Sequence, residues 1–236
     1  TQQPTLFPYT TLFRSETPRR NRFGRRYRTD DLDTGTDARC DRAADERGRT
    51  LLEQAGAVVE IAPQFNPSVP KNQVVGTTPK PGDTMPAVVS LAVGDPGDAL
   101  TLASVSSVSD NDCGTVDSAT VNGAGVGDSI RCRPDAKPAF IEYAVSRQAA
   151  ALEAVVGTDD RGKTGSAHVL VLGDGRELAV ADVQLGHSVP VRADLNGVLR
   201  LRIEVSTAAG DESPTVILGD AKLLGLPAGL DAIAAQ

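Results

Sequence analysis

Hydrophobic and polar positions alternate most regularly in LRLRIEV, where Leu199, Leu201, Ile203 and Val205 interleave with Arg200, Arg202 and Glu204. A period of two predicts a strand with one buried face and one charged face. ALEAVV shows the same signal, with Leu152, Ala154 and Val156 on one side. Between these stretches, AHVLVLGDGRELAVADV is apolar on both faces from Val169 to Leu172 and breaks at Gly173-Asp174-Gly175, a hairpin signal. In AFIEYAV, Tyr143 lies between Ile141 and Val145 on the inward pattern, whereas Phe140 stands beside Glu142 on the polar side. Short strands separated by turn signals predict an antiparallel, jelly-roll-like β-sandwich over residues 99–226, with a C-terminal tail at 227–236.

A different pattern precedes it. AADERGRTLLEQAGA predicts a short helix with Leu51, Leu52 and Ala55 towards a core and Gly56 as its C-terminal stop. AVVEIAP then reads as a strand, followed by a turn at Asn66-Pro67 and further strands through Val74–Thr78 and Val88–Val93. Residues 43–94 are therefore expected to form a small α+β module. GDPGDA, at 94–99, reads as a short acidic linker. The expected fold is mainly β, with this small module in front of the sandwich.

Composition changes this picture at the N-terminus. Residues 1–50 hold 11 arginines against 8 acidic residues, and the rest holds 13 lysines or arginines against 23 acidic residues. The body is acidic, which argues against nucleic-acid binding by the folded part. Residues 5–15, TLFPYTTLFRS, match letter for letter the translation of a common short-read sequencing adapter, and they are set aside from fold and function. The Arg-rich run after them reads as a basic arm, a solvated tail or an out-of-frame translation, and its position just behind the adapter favours the last. Residues 1–42 are accordingly expected to be disordered and artefactual. No run of 18 apolar residues occurs, so no membrane segment is expected, and the N-terminus has no signal-peptide pattern.

Candidate chemistry is sparse. His168 and His187 are the only histidines, and no nucleophile elbow, zinc-protease helix or phosphate loop is present. No catalytic residue is expected. Asp159-Asp160 closes a strand before the turn RGKTG, where two adjacent carboxylates can ligate a structural calcium ion as hard oxygen donors or simply solvate a turn. After Tyr27 the only aromatic residues are Phe65, Phe140 and Tyr143, so the cores must be built from Val, Leu, Ile and Ala. Phe140 is the one outward ring expected in the sandwich, and with Asp159 and Asp160 it makes the candidate ligand-binding set.

Two stretches resemble known families. VGTDD at 156–160, VLVLGDG at 169–175 and GVLRLRI at 197–203 resemble the motifs of the NPCBM family of carbohydrate-binding modules, over residues 100–225. The resemblance implies a lectin-like β-sandwich without catalysis. The family's later Asp-His-Ala-Asp-Trp-like segment corresponds here to VILGDAKL, which keeps Asp220 and Ala221 but has no His and no Trp. Sugar faces stack on aromatic rings, so this departure leaves Phe140 as the single platform. LLEQAG at 51–56, VVGTT at 74–78, PKPG at 79–82 and VVSLAV at 88–93 resemble a PASTA repeat that lacks its opening Val-Pro-x-x-x-Gly strand. PASTA repeats occur outside the membrane on penicillin-binding proteins and receptor-type Ser/Thr kinases. Together the resemblances imply an extracellular or cell-surface binding region with cell-wall glycan or muropeptide as partner, or a spacer or protein-interaction module that has lost sugar binding. Cys113 and Cys132 can be two free thiols or a disulfide. An exported module favours the disulfide, which would contribute roughly 3 kcal/mol in the chain-entropy account.

Overall fold

The computed structural model describes residues 49–236 apart from 51, 55, 81, 82, 84, 85 and 208–211. The expectations for residues 1–42 lie outside the described residues, as do Leu51 and Ala55. The chain divides into two compact units, one ending at Pro96 and one spanning Gly97–Gln236.

In the first unit a helical turn around Leu52 ends at Gly56, whose φ of +91° suits a residue without a Cβ. The amides of Gly56 and Ala57 return to the carbonyls of Glu53 and Leu52. Three strands follow: β1 (Val58–Phe65), β2 (Gln73–Thr78) and β3 (Val88–Asp95). Their order is β1-β3-β2, with β1 parallel and β2 antiparallel to β3. Alternation in β3 sends Val89, Leu91 and Val93 into a small core with Leu52 and Ala57.

The second unit is a sandwich of two antiparallel sheets. One holds five strands in the order β11-β10-β13-β8-β5: β5 (Ser109–Asn111), β8 (Ala139–Ala144), β10 (Ser166–Gly173), β11 (Arg176–Gln184) and β13 (Arg200–Thr207). The other runs β12-β9-β14-β7-β6, with β4 also paired to β14. Its members are β4 (Asp98–Thr101), β6 (Cys113–Val121), β7 (Ala124–Cys132), β9 (Ala151–Thr158), β12 (Ser188–Asp194) and β14 (Val216–Gly225). The inward rows of the two sheets make one aliphatic core, in which Leu152, Val156, Val169, Val171, Leu201, Ile203 and Val205 are buried as their alternation requires.

Three details depart from the sequence reading. Leu199 is 42% exposed, because β13 starts only at Arg200 and the Leu199 amide is used to close a turn. Arg202 and Glu204 are half-buried rather than exposed, because they lie against one another and against Phe140. Residues 227–236 are more than a tail. Pro227–Ala234 form helix α1, started by its proline and placed by Leu230 and Ile233, both buried in the sandwich core.

The six-stranded sheet has a second apolar surface. The β6–β7 hairpin carries Val121 and Val126 over its outer side, where they bury Ile217 of β14 completely. Gly157 and Gly219 make room for this: a Cβ on Gly157 would stand 2.4 Å from a Val121 methyl, and one on Gly219 would stand 2.8 Å from a Val126 methyl.

Candidate functional site

In VVGTDD, Gly157 accommodates Val121, and Asp160 reaches the hairpin tip beside it. Its Oδ1 accepts the Asn122 amide at 2.9 Å and its Oδ2 the Gly123 amide at 2.8 Å. Both turn residues have positive φ, +50° and +77°, the type I′ geometry that an Asn-Gly pair adopts. Asp159 closes its own turn, its Oδ1 accepting the Arg161 amide at 3.0 Å. The Asp160 carboxylate thus clasps the β6–β7 hairpin to the end of β9.

Asp174 does a similar thing on the other sheet. With Gly175 it makes the tight turn between β10 and β11, at φ +52° and +78°. Its carboxylate accepts the amide of Arg200 at 2.8 Å and that of Leu199 at 3.1–3.2 Å, fixing the start of β13. These backbone donors, first Arg200 and then Leu199, hold the Asp174 carboxyl below the usual carboxylate range.

Cys113 and Cys132 are joined in a disulfide. They face each other across the base of the β6–β7 hairpin, beside the ladder bond from the Arg133 amide to the Asp112 carbonyl. Their Cα atoms are 4.1 Å apart, just under the roughly 4.4–6.8 Å expected of disulfides in general, because directly opposed residues of a non-hydrogen-bonded pair approach closely. His168 pairs with the directly opposed Asp182 at 2.7 Å on the exposed side of β10 and β11. Among the described residues, no group of three or more His, Cys, Asp or Glu is arranged to hold a metal ion. None of the described helices is long and apolar enough to cross a membrane.

The two aromatic residues of the sandwich take the opposite orientations that their spacing requires. Tyr143 is fully buried, and its hydroxyl has no hydrogen-bond partner. Burial, with the nearby Asp110 charge, raises its pKa strongly. Phe140 points outward from β8 and lies directly opposite Glu204 of β13 on one side and Asn111 of β5 on the other. An open depression surrounds it, lined by Asp110, Asn111, Lys137, Pro138, Arg202 and Glu204.

The Arg202 guanidinium lies over the Phe140 ring, 3.7 Å from its centroid. It is held there by carboxylates: Nε and Nη2 donate to Glu204 Oε2 at 3.2 and 3.1 Å, and Nη1 lies 3.7 Å from Glu142 Oε2. Glu142 in turn accepts from Arg200 at 3.0 Å. An ion pair open to solvent is worth about 0.2–1 kcal/mol, and a cation–π contact that keeps some solvent about 0.5–1 kcal/mol. Their joint effect is to fix one planar cation on one ring.

Phe140 and the Asp159-Asp160 pair therefore do not meet. The ring sits on the outer face of the five-stranded sheet, and the aspartates serve the outer face of the other sheet. Arg202, Glu204 and Glu142 were readable only as a charged strand face. Their convergence on Phe140 follows from the β8–β13 register, Arg202 opposite Glu142 and Glu204 opposite Phe140.

A family model for the NPCBM/NEW2 domain matches residues 135–224. Among curated proteins none matches. Solved structures similar to the chain include the second CBM51 module with the INT domains of Clostridium perfringens ZmpB, in complex with GlcNAc. It shows 14% identity and a TM-score of 0.48, over 58% of this chain and 34% of that one. The tandem CBM51 modules of a family 98 glycoside hydrolase from Streptococcus pneumoniae show 11% identity and a TM-score of 0.48, over 54% of this chain and 47% of that one. A CBM51 from Clostridium perfringens GH95, in complex with methyl-galactose, shows 19% identity and a TM-score of 0.45, over 53% of this chain and 99% of that one. The chain thus spans less than half of the first two.

Proposed function

We propose that the sandwich is a non-catalytic module that binds carbohydrate on the outer face of its five-stranded sheet, in an extracellular or cell-surface protein. The observation that carries this reading is Phe140. It is the one outward-facing aromatic side chain of the unit, and it stands in an open depression with hydrogen-bonding groups of both kinds around it. Aromatic stacking with polar groups at the ring's margin is the chemistry a pyranose requires. The NPCBM/NEW2 match over 135–224 supports the same class. The disulfide supports an oxidising compartment.

In its finer form the ligand is a cell-wall glycan or muropeptide, and the parent protein is a receptor-type Ser/Thr kinase. That form rests on the PASTA-like order of helical turn, β1, β2 and β3 in the first unit. Isothermal titration of the chain with simple oligosaccharides and with peptidoglycan fragments tests both levels. One small platform should give weak binding, about millimolar or poorer. Binding should be lost in Phe140→Ala; binding that Phe140→Ala leaves intact would put the site elsewhere, for instance at the polar loop 159–165.

A second reading is favoured by one observation. Because Arg202 lies on the Phe140 ring, the platform is already occupied, as expected of a spacer or protein-interaction module that has lost its sugar. No binding of any glycan, by wild type or by a variant with the ring uncovered, would support it.

A further inference from the structure

We infer that Arg202 is a shutter: its guanidinium occupies the stacking face of Phe140, and a neutral pyranoside binds only when that group swings off the ring. This rests on the carbohydrate reading for its ligand, but the shutter itself stands on the geometry alone.

The guanidinium is 3.7 Å from the ring centroid, a separation that leaves no space for a sugar between them. It is also the removable part of the surface. Phe140 is fixed by its strand, with Ile141 and Tyr143 buried in the core. Arg202 is attached through a long flexible stem and is held by Glu204 and Glu142, all three still partly open to solvent. Ion pairs that remain partly open to solvent are modest in strength and screened by salt.

The ligand class follows from the charges that remain. Asp110 and Glu204 face Lys137 and Arg202 in the depression, and Glu142 with Arg200 adds one more charge of each sign at its edge. The patch as a whole is neutral. Once Arg202 leaves the ring, an incoming carboxylate or sulfate would meet Glu204 and Glu142 beside it. A neutral sugar meets a ring and polar edges, and what it must displace is one cation–π contact and the ion pairs that hold Arg202 there.

Two consequences separate a shutter from a merely structural arginine. Raising the salt concentration loosens the Glu142–Arg202–Glu204 lattice and should strengthen binding of a neutral glycan, the reverse of binding held by charge. Replacing the guanidinium with a neutral side chain should also strengthen it.

The experiment uses the full chain, wild type and Arg202→Gln, titrated with methyl-galactoside, GlcNAc and neutral oligosaccharides in low and high salt. Arg202→Gln should bind about three- to tenfold more tightly, the worth of one partly exposed cation–π contact, and wild-type affinity should rise with salt. If wild type binds and Arg202→Gln binds equally well, the shutter is wrong and Arg202 plays no part in binding. If Arg202→Gln binds less well, the shutter is wrong and Arg202 itself touches the sugar. In both cases the carbohydrate reading stays intact. If neither protein binds any glycan, the carbohydrate reading fails, and the shutter is decided by fluorescence. The chain has no tryptophan, so Phe140→Trp places a single reporter at the site. Acrylamide should quench it more strongly when Arg202→Gln is added, and equal quenching would overturn the inference.

Discussion

On the outer side of the six-stranded sheet, Ile217 is completely buried because the β6–β7 hairpin lies over it; on the outer side of the five-stranded sheet, Phe140 has only a guanidinium for cover. The two faces meet the same requirement differently. VVG in β9 and VILG in β14 are apolar or small on both sides, and the chain covers its own outer surface with Val121 and Val126. β8 and β13 alternate cleanly, so their outer side carries Glu142, Arg200, Arg202 and Glu204 around one ring. The first arrangement is shape-matched packing that leaves little room for anything else. The second is held by weak, rearrangeable contacts, and that is where a ligand can compete.

The largest expected effect tests the core that both faces share. Leu201→Ala removes a fully buried side chain and should cost about 2–5 kcal/mol in urea unfolding. Unchanged stability would mean that the inward and outward rows of β13 are exchanged. Next comes the covered face. Gly157→Ala drives a methyl into Val121 and close to the His187 carbonyl, and overpacking of this kind costs about 1–3 kcal/mol. Val121→Ala in the same chain should restore part of that loss, a coupling readable in a double-mutant cycle. Purely additive costs would show that the hairpin does not lie over β9.

A smaller effect is expected at the turn that starts the open face. Because the folded Asp174 pKa is depressed, its stabilisation is present above the unfolded carboxylate value of about 3.9 and is lost as pH falls through the folded value. The melting temperature of Asp174→Asn should therefore lie below wild type near neutral pH, with the gap closing below about pH 4. A gap that is constant with pH would remove the charge from the explanation. The smallest change in stability belongs to Phe140→Ala, about 1 kcal/mol or less in thermal unfolding, since only a surface contact is lost. A larger loss would show that the ring supports the sheet and is no free platform.

Much of this was legible from local pattern. The β13 alternation, the Gly173-Asp174-Gly175 turn and the opposed orientations of Phe140 and Tyr143 follow from periods and turn chemistry within a few residues. Leu199 has the inward parity but stands one residue before the strand, a boundary set by a carboxylate 25 positions earlier. Asp160 was open to several readings because its partners, Asn122 and Gly123, are 38 and 37 residues away. Arg202 could not be placed on Phe140 without the register between β8 and β13. In each case the decisive contact is between strands distant in sequence, and the side chains involved carry no periodic mark of it.

The crosslink at the base of the β6–β7 hairpin also decides how the unit would carry mechanical load. Tension entering along β6 passes from Cys113 directly to Cys132, 19 positions later in the chain, and the hairpin beyond is left out of the load path. At full extension that excluded segment would measure roughly 65 Å, at about 3.4 Å per residue. Val121, Asn122, Gly123 and Val126 of the hairpin are therefore shielded from direct pulling, whereas the residues they hold, Gly157, Asp160, Ile217 and Gly219, lie on uncrosslinked chain under tension, as does the Phe140 face. In a pulling experiment, reducing agent should lengthen the unfolded unit by about that amount. With the disulfide intact, the closed hairpin loop is the one stretch of the unit that tension never draws out.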